Sequence, residues 1–422
     1  MYDVVVVGGG WAGCASALAA TKLGATSVVL ERTSEILGAG LVAGRMRSNA
    51  RFAATEEAVA MGGGELFRAC DVATIHRNVP LPGSEHTCFY DIFAIEPLVA
   101  QKLAEAKVEV RRRSRVKDIR SANGVVYAVV LDSGEEVEGK VFVDATGTTG
   151  PQGMCSKHGV GCVMCHCCCP SFGPRLSLSG KMGIREGVGR RSDGGIGVVN
   201  AALLILKQTV SANLVSQLEK RGCMLIPISR DMETEYIDIP KTGGDEILRE
   251  NLLVVDNGTI KIMYRTCIAL EKLRRLEGFE RAKYYEPLCG GQGNSVSFLV
   301  VTPRDNTMRV VGTKNLLCAG EKQGLMVGCT EAIMTGTVAG YNATRMAFRQ
   351  TPVEMPQSTI IGEAIAFTGK ALQRPEGYTQ RYSLLSGGLA ARITDLGLYQ
   401  SNVDQIRERI ARMGLDKFFI RG

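Results

Sequence analysis

The first thirteen residues constrain this chain most. An apolar run, Val4 to Val7, breaks directly into Gly8-Gly9-Gly10-Trp11-Ala12-Gly13, and an alanine-rich stretch from Cys14 to Leu23 comes next. Four consecutive valines read as a buried strand, and the alanine-rich stretch reads as a helix that Gly24 ends as its C-cap. The glycines between them have separate tasks: Gly8 permits the tight turn, Gly10 lets backbone approach a pyrophosphate, and Gly13 lets the helix pack close to the strand. The helix N-terminus then offers free N–H groups and a positive dipole end to phosphates. Such a turn is built to hold a dinucleotide.

The next segments agree with a dinucleotide fold. Ser27-Val28-Val29-Leu30 reads as a second buried parallel strand that delivers Glu31 at its C-terminal end, with Arg32 beside it. Glu31 stands 21 residues beyond Gly10, the distance at which an acidic side chain meets the ribose hydroxyls of an adenosine. Lys140 to Gly147 is another apolar strand ending in a small-residue turn, so Thr146 and Gly147 join the expected cofactor-binding set. Asn315 to Gly320 is a third such strand, followed by Glu321 and then by a Gly-rich turn that opens a small-faced helix. Gly328 lies near that helix start, with Gly336 and Gly340 on it at i,i+4 spacing.

Together these segments resemble the FAD-dependent oxidoreductases. The stretch NLLCAGEKQGLMVGCTEAIMTGTVAGYNATR resembles the closing FAD motif of the glucose-inhibited division protein A family and of the folate-dependent tRNA uridine methyltransferases. Residues Pro356 to Thr368 and the loop Arg47-Ser48-Asn49-Ala50-Arg51 are similar to segments of the same families. The resemblance implies an α/β, Rossmann-like FAD-binding fold of the glutathione-reductase type, with an inserted α+β substrate domain. It implies FAD as cofactor, with Gly320 among the cofactor-binding residues, Gly328 and Cys329 near the flavin and Glu321 near the ribityl and pyrophosphate groups. In that family a helix N-terminus faces flavin N1 and O2 and stabilises negative charge there. The chain departs at one point: the methyltransferases hold a reactive cysteine in the loop after the second strand, whereas Met46 and Arg47 stand here, and no cysteine occurs from Ala15 through Ala69.

Composition bounds the rest. The 422 residues allow two or three domains, and 45% apolar with 22% charged residues is an ordinary globular balance. The first strand begins almost at Met1, and the longest largely apolar stretch, Ile196 to Leu206, is too short to span a bilayer. A cytoplasmic protein without a membrane partner is expected. The net charge of +7 is modest and only 6% of residues are aromatic. Arg111, Arg112, Arg113, Arg115 and Lys117 therefore read as a solvated strand edge, and an RNA partner is implied by the family link alone. Arg45, Arg47 and Arg51 are candidates for binding a small anionic substrate or FAD phosphate beside the flavin.

Fourteen cysteines in such a compartment are not expected to form a disulfide framework. Six of them, Cys155, Cys162, Cys165, Cys167, Cys168 and Cys169, crowd one segment with His158 and His166 between them. That density suits an iron-sulfur cluster exchanging electrons with the flavin, a redox-active dithiol, structural zinc, or simply a cysteine-rich loop. Cys14 and Cys318 read as packing residues. Cys70, Cys88, Cys223 and Cys267 are ambiguous, while Cys289, before Gly290-Gly291, and Cys329, at the helix start, are the expected reactive thiols because free N–H donors depress a thiol pKa. His76 and His86 read equally as acid–base groups or as surface residues.

Domain organisation is read from the same signals. Residues 1–150 and 306–345 form the FAD-binding domain, with an excursion over 36–90 bordering the active site, a helix from Ile95 to Ala106, and hairpins turning at Asn123-Gly124 and Ser133-Gly134. Residues 151–305 form the inserted substrate domain, with a helix from Val210 to Arg221 and strands near Met224–Ile228, Glu235–Ile239 and Ser295–Val301. Residues 346–422 form a C-terminal helical tail with a helix from Val403 to Met413. The expected activity is that of an FAD-dependent oxidoreductase. Its flavin exchanges electrons with the Cys155–Cys169 centre, and a small-molecule, thiol/disulfide or protein-borne substrate binds between the domains; Arg47, Cys289 and Cys329 are the catalytic candidates. A flavin-dependent tRNA-modifying enzyme using Cys223 or Cys329 is the alternative. A flavin-containing electron-transfer partner without its own substrate is a third reading, and a homo-oligomer accords with any of them.

Overall fold

The computed structural model describes residues 1–147, 176–190, 194–195, 198–199, 202–229, 232, 245–265, 268–285, 296–297 and 300–421. The chain opens with β1 (Tyr2–Val7), α1 (Trp11–Lys22) and β2 (Ser27–Leu30). Helix α1 is buried on almost every side from Trp11 to Ala20, which its run of small residues permits. Gly24, at φ +85°, ends it: Gly24 N–H donates to Thr21 O and Ala25 N–H to Ala20 O.

The chain then leaves the sheet through α2 (Gly40–Ala43), β3 (Arg45–Met46), α3 (Ala50–Ala60), α4 (Glu65–Ala73), β4 (Thr74–Leu81) and β5 (Ser84–Tyr90). It returns by α5 (Ile95–Glu105) to β6 (Glu109–Arg111), β7 (Val116–Ala122), β8 (Val125–Leu131) and β9 (Glu136–Asp144). Strands β6, β2, β1 and β9 lie side by side and parallel, with Val7 opposite Leu30 on one side and Asp144 on the other.

Strand β9 serves two partners along its other edge. Residues Glu136–Glu138 pair antiparallel with β8, while Phe142–Asp144 pair parallel with the late strand of residues Leu316–Cys318. Asn315 spans the step between the two. Its amide donates to Val126 O at 2.8 Å and Lys140 O at 2.8 Å and accepts from Val126 N–H at 2.9 Å, so backbone groups left by the change of partner are satisfied. The expected hairpins are thus an extension of the cofactor sheet.

Beyond residue 200 the chain forms β10 (Ala202–Ile205), α6 (Ala212–Arg221), β11 (Cys223–Pro227), β12 (Asn251–Asp256) and β13 (Ile260–Met263), an antiparallel sheet in the order β10-β13-β12-β11. Leu252, Val254, Ile260 and Ile262 face a core with Leu214 and Leu218 of α6, while Leu253 and Val255 pack against Val79, Leu81 and Phe89 of β4 and β5. The expected strand at Glu235–Ile239 lies outside the described residues. The chain then re-enters the first sheet with β14 (Leu316–Cys318) and α7 (Cys329–Ala347).

Helix α7 crosses α1 with backbone close to backbone: a Cβ on Gly336 would collide with Ala12 O and one on Gly340 with Ser16 O. Ser16 Oγ donates to Gly336 O at 2.9 Å across the same contact. Residues after α7 form α8 (Ile360–Ala371), α9 (Gly387–Asp395) and α10 (Val403–Arg412), which pack on α3. Fully buried Glu57 of α3 accepts from Ile360 N–H at 2.8 Å and pairs with Arg409 at 2.5 Å, so this region closes over the excursion. Among the described residues no helix is long and apolar enough to cross a membrane.

Candidate functional site

The C-terminal ends of β1, β9 and β14 meet the N-termini of α1 and α7, and most of the expected cofactor residues gather there. The glycines divide as the chemistry requires. At φ +103°, Gly8 runs so close to β9 that a side chain would strike Ala145 O, and one on Gly13 would strike Gly8 O. At Gly10 and Gly147, by contrast, an added Cβ would meet no atom within 4 Å. Two glycines are therefore needed for packing inside the protein, and two border open space at the strand ends.

Glu31 is buried beside this turn. Its Oε2 accepts from Gly9 N–H at 2.8 Å and its Oε1 from the Thr33 N–H and hydroxyl at 2.8 and 2.9 Å, which leaves carboxylate lone pairs for further donors. Arg32 is partly buried next to it. Leu37 N–H donates to Gly9 O at 2.7 Å, bringing the start of the excursion onto the glycine turn. Thr146 Oγ1 donates to Asp144 Oδ1 at 2.7 Å, and Gly320 packs on Ala12 with its N–H on Thr335 Oγ1 at 3.1 Å. Glu321 follows in the first turn after β14. Burial pushes its carboxyl up to about 7, opposed by Arg381 and reinforced by Glu331.

Gly328 and Cys329 open α7, but Cys329 is not the activated thiol expected there. Its Sγ is enclosed, 3.9 Å from Tyr90 Oη, and burial pushes the thiol up to about 11 although Arg51 and Lys261 pull the other way. Desolvation outweighs the helix N-terminus. Cys14 and Cys318 are buried packing residues as expected, and burial raises both thiols. Cys223 is half-buried with its Sγ on Pro80 O. Cys289, Cys267 and the whole set Cys155, Cys162, Cys165, Cys167, Cys168 and Cys169, with His158 and His166, lie outside the described residues. Among those described, no group of three histidine, cysteine or carboxylate side chains could hold a metal.

Arg47 also departs from expectation. It forms a bidentate pair with Asp71 at 2.8 and 2.9 Å and reaches Glu56 at 2.5 Å, so its donors are spent on structure. Arg51 is similarly engaged, with Nε 3.0 Å from both Glu331 oxygens and Nη2 on Val327 O and Ser383. His76 clasps Asp256 at 2.9 Å between β4 and the end of β12, and His86 stacks on Phe52 with centroids 4.6 Å apart; neither joins the cofactor crevice.

Sequence reasoning missed a buried pair at the base of the crevice, Lys322 and Asp144, and the buried Lys261. Each stands in an otherwise ordinary strand or turn, and only the packing around it reveals it.

A parallel sheet with a glycine turn and two helix N-termini converging on its C-terminal edge defines a Rossmann-type, FAD-binding α/β fold. The chain matches the family described as glucose inhibited division protein A over residues 3–184 and 255–351, more than half its length, and belongs to that family. Among solved structures it is similar to Aquifex aeolicus GidA in its form II crystal, with 19% identity, a TM-score of 0.69, and coverage of 99% of this chain and 74% of that one. The form I crystal of the same protein gives 18% identity, a TM-score of 0.69, and coverage of 100% and 76%. That likeness is one of fold.

The residues present fit FAD. The first N–H groups of α1 and the open backbone at Gly10 suit the pyrophosphate, Glu31 has acceptor capacity left for ribose hydroxyls, and Gly147 leaves room above β9.

Proposed function

We propose that this chain is an FAD-dependent enzyme that acts on RNA, modifying a uridine of tRNA like the flavoproteins it resembles. The observation that carries the reading is the family match itself, which spans β1 through β9 and the α7 segment and coincides with the residues lining the glycine crevice. In this reading Gly8, Gly10, Gly13, Glu31 and Arg32 hold the adenosine and pyrophosphate. Thr146, Gly147, Gly320 and Glu321 border the ribityl chain, and Gly328 with the first turn of α7 faces the flavin ring. Bound FAD supplies two-electron redox chemistry at its N5–C4a positions.

The chain's own residues restrict how such chemistry proceeds. Residues 45–51 contain no thiol, and in place of a reactive side chain this loop holds Arg45, Arg47 and Arg51, two of them tied to carboxylates. Cys329 is held protonated at neutral pH by its burial. A covalent adduct through either position is therefore disfavoured, and the reaction draws on the flavin, on the half-buried Cys223 or on a thiol outside the described residues. The electron-exchange reading built on Cys155–Cys169 has the sequence alone behind it.

The test has two parts. The purified full chain is expected to be yellow and to release one FAD per chain on denaturation, identified by chromatography. Nucleoside mass spectrometry of tRNA from cells lacking the gene is expected to show loss of one modified uridine, restored by the wild-type chain. A colourless protein that takes up no supplied FAD overturns the cofactor reading; unchanged tRNA overturns the substrate reading.

A further inference from the structure

Two exposed aromatic rings meet where the inserted sheet joins the FAD-binding domain. Phe93 lies on the loop between β5 and α5 and Tyr285 beyond β13; their ring centroids are 5.8 Å apart and the rings are tilted by 43°. Phe93 is 51% exposed and Tyr285 43%. A single exposed apolar side chain is ordinary, whereas two large rings brought together from distant segments and left open to water form a surface with a use.

Backbone bonds hold both rings in place. Ile92 N–H donates to Asn257 O at 3.0 Å, which fixes the Phe93 loop to the turn between β12 and β13. Tyr285 N–H donates to Leu204 O at 2.8 Å and Leu206 N–H to Lys283 O at 2.9 Å, so residues 283–285 run extended along the outer edge of β10. Lys283 N–H is taken by Thr209 Oγ1 at 3.0 Å. Ala282 and Tyr284 turn into the core under the sheet, while Arg281, Lys283 and Tyr285 are exposed.

The cations of this strip stand without acids. Among the described residues neither the Arg281 nor the Lys283 side chain forms an ion pair. Glu219 and Asp256 are taken up by Lys207, and Glu280 Oε1 by Gly278 N–H at 2.9 Å. On the hairpins of the first sheet, by contrast, Arg111, Arg115 and Arg120 each pair with a carboxylate. Open ring faces beside unpaired cations are what an unpaired nucleic-acid strand requires, since its bases stack on aromatic rings while its phosphates seek positive charge. Lys283 and Tyr285, two residues apart on extended chain, stand about 6.6 Å from each other, close to one nucleotide step of a single strand. The uncompensated charge favours a polyanion over an apolar protein surface.

We propose that Phe93 and Tyr285, with Lys283 and Arg281, form a site for an unpaired RNA segment, in which a base stacks on the two rings and the neighbouring phosphates lie on the cations. This rests on the RNA reading above and narrows it to a single-stranded stretch bound at the junction of the two domains. Neither domain carries the site alone: the β5–α5 loop supplies one ring, and the segment beside β10 supplies the other ring and the charge.

The test measures the fluorescence anisotropy of a labelled oligouridine strand on the full chain with FAD supplied, and uses a paired RNA duplex of the same length as competitor. The wild-type chain is expected to bind the strand in preference to the duplex. Phe93→Ala and Tyr285→Ala are each expected to weaken binding about ten-fold with its salt dependence unchanged, and Tyr285→Phe to keep the wild-type affinity. Lys283→Ala and Arg281→Ala are each expected to reduce the slope of log affinity against log salt by about 0.7. All four side chains are exposed, so the melting temperature and FAD absorbance of each variant are expected to match wild type. Strand affinity unchanged in both Phe93→Ala and Tyr285→Ala overturns the proposal and leaves the rings to a protein partner. A duplex that competes as well as the strand, or a salt slope unchanged in Lys283→Ala, overturns it too. A wild-type chain that binds neither the strand nor tRNA instead removes the RNA reading on which the proposal stands.

Discussion

Lys322 Nζ lies 2.7 Å from Asp144 Oδ2, and solvent reaches almost none of either side chain. Asp144 ends β9 and Lys322 comes just after β14, so the pair ties the two strand ends on which the crevice rests. Asp144 Oδ2 also accepts from Leu178 N–H at 3.0 Å, and Glu186 stands 3.6 Å from the ammonium. Removing the lysine alone leaves a buried carboxylate without its cation. Lys322→Met is expected to cost about 3–5 kcal/mol in chemical denaturation, and Asp144→Asn added to it is expected to restore part of that loss.

Gly10 and Gly340 separate binding from folding. Gly10 has extended backbone (φ −70°, ψ −178°) and open space around it, so Gly10→Ala is expected to leave the melting temperature within a degree or two while weakening FAD binding. Gly340→Ala drives a methyl into Ser16 O at the α1–α7 crossing and is expected to cost about 1–3 kcal/mol. Thermal melts of the apoproteins beside FAD titrations check both. A Gly10→Ala protein with wild-type FAD affinity removes the glycine turn from the cofactor site.

Glu321 couples stability to pH. Its folded carboxyl is raised to about 7 from an ordinary value of 4.5, so the folded chain keeps a proton that the unfolded chain releases. Its contribution is fully present below pH 4.5 and is lost as pH rises through 7. Glu321→Gln is therefore expected to match wild type at low pH and to be more stable by about 1–2 kcal/mol above neutral pH, somewhat less than the full shift because some solvent reaches the residue. Denaturant midpoints of the two apoproteins across this range measure the difference.

Thiol reactivity should follow burial. Burial raises the thiols of Cys14, Cys70, Cys318 and Cys329, which are enclosed, and also that of Cys223, which is only half-buried and has Arg221 pulling the other way. Timed alkylation at mildly alkaline pH with peptide mapping is expected to label Cys223 well ahead of these four. Fast labelling of Cys329 would show that its environment opens in solution.

Much of the cofactor crevice was legible because local signals and tertiary roles coincide there. The valine run, the glycine spacing and the capping Gly24 each act within a few residues, and β1, α1 and β2 stand where they were expected. Residues 315–347 were legible for the same reason, down to the small residues that let α7 cross α1. The arginines of 45–51 were visible as a group, but their individual roles were not. Whether a guanidinium is free depends on which acids fold back onto it, and Asp71 and Glu331 come from 24 and 280 residues away.

Lys261 shows the remaining gap most clearly. In Ile260-Lys261-Ile262-Met263 it occupies the polar slot of an alternating strand, the pattern of a residue facing water. In the fold Ile260 and Ile262 turn inward and residues 42–44 cover the opposite face, so local alternation carries no sign that the lysine is enclosed. Period and turn chemistry, acting over a few residues, determined the nucleotide-binding frame. Desolvation and charge pairing arise only when distant segments close on one another, and they decided which cations were neutralised, which thiols were silenced and which lysines were enclosed.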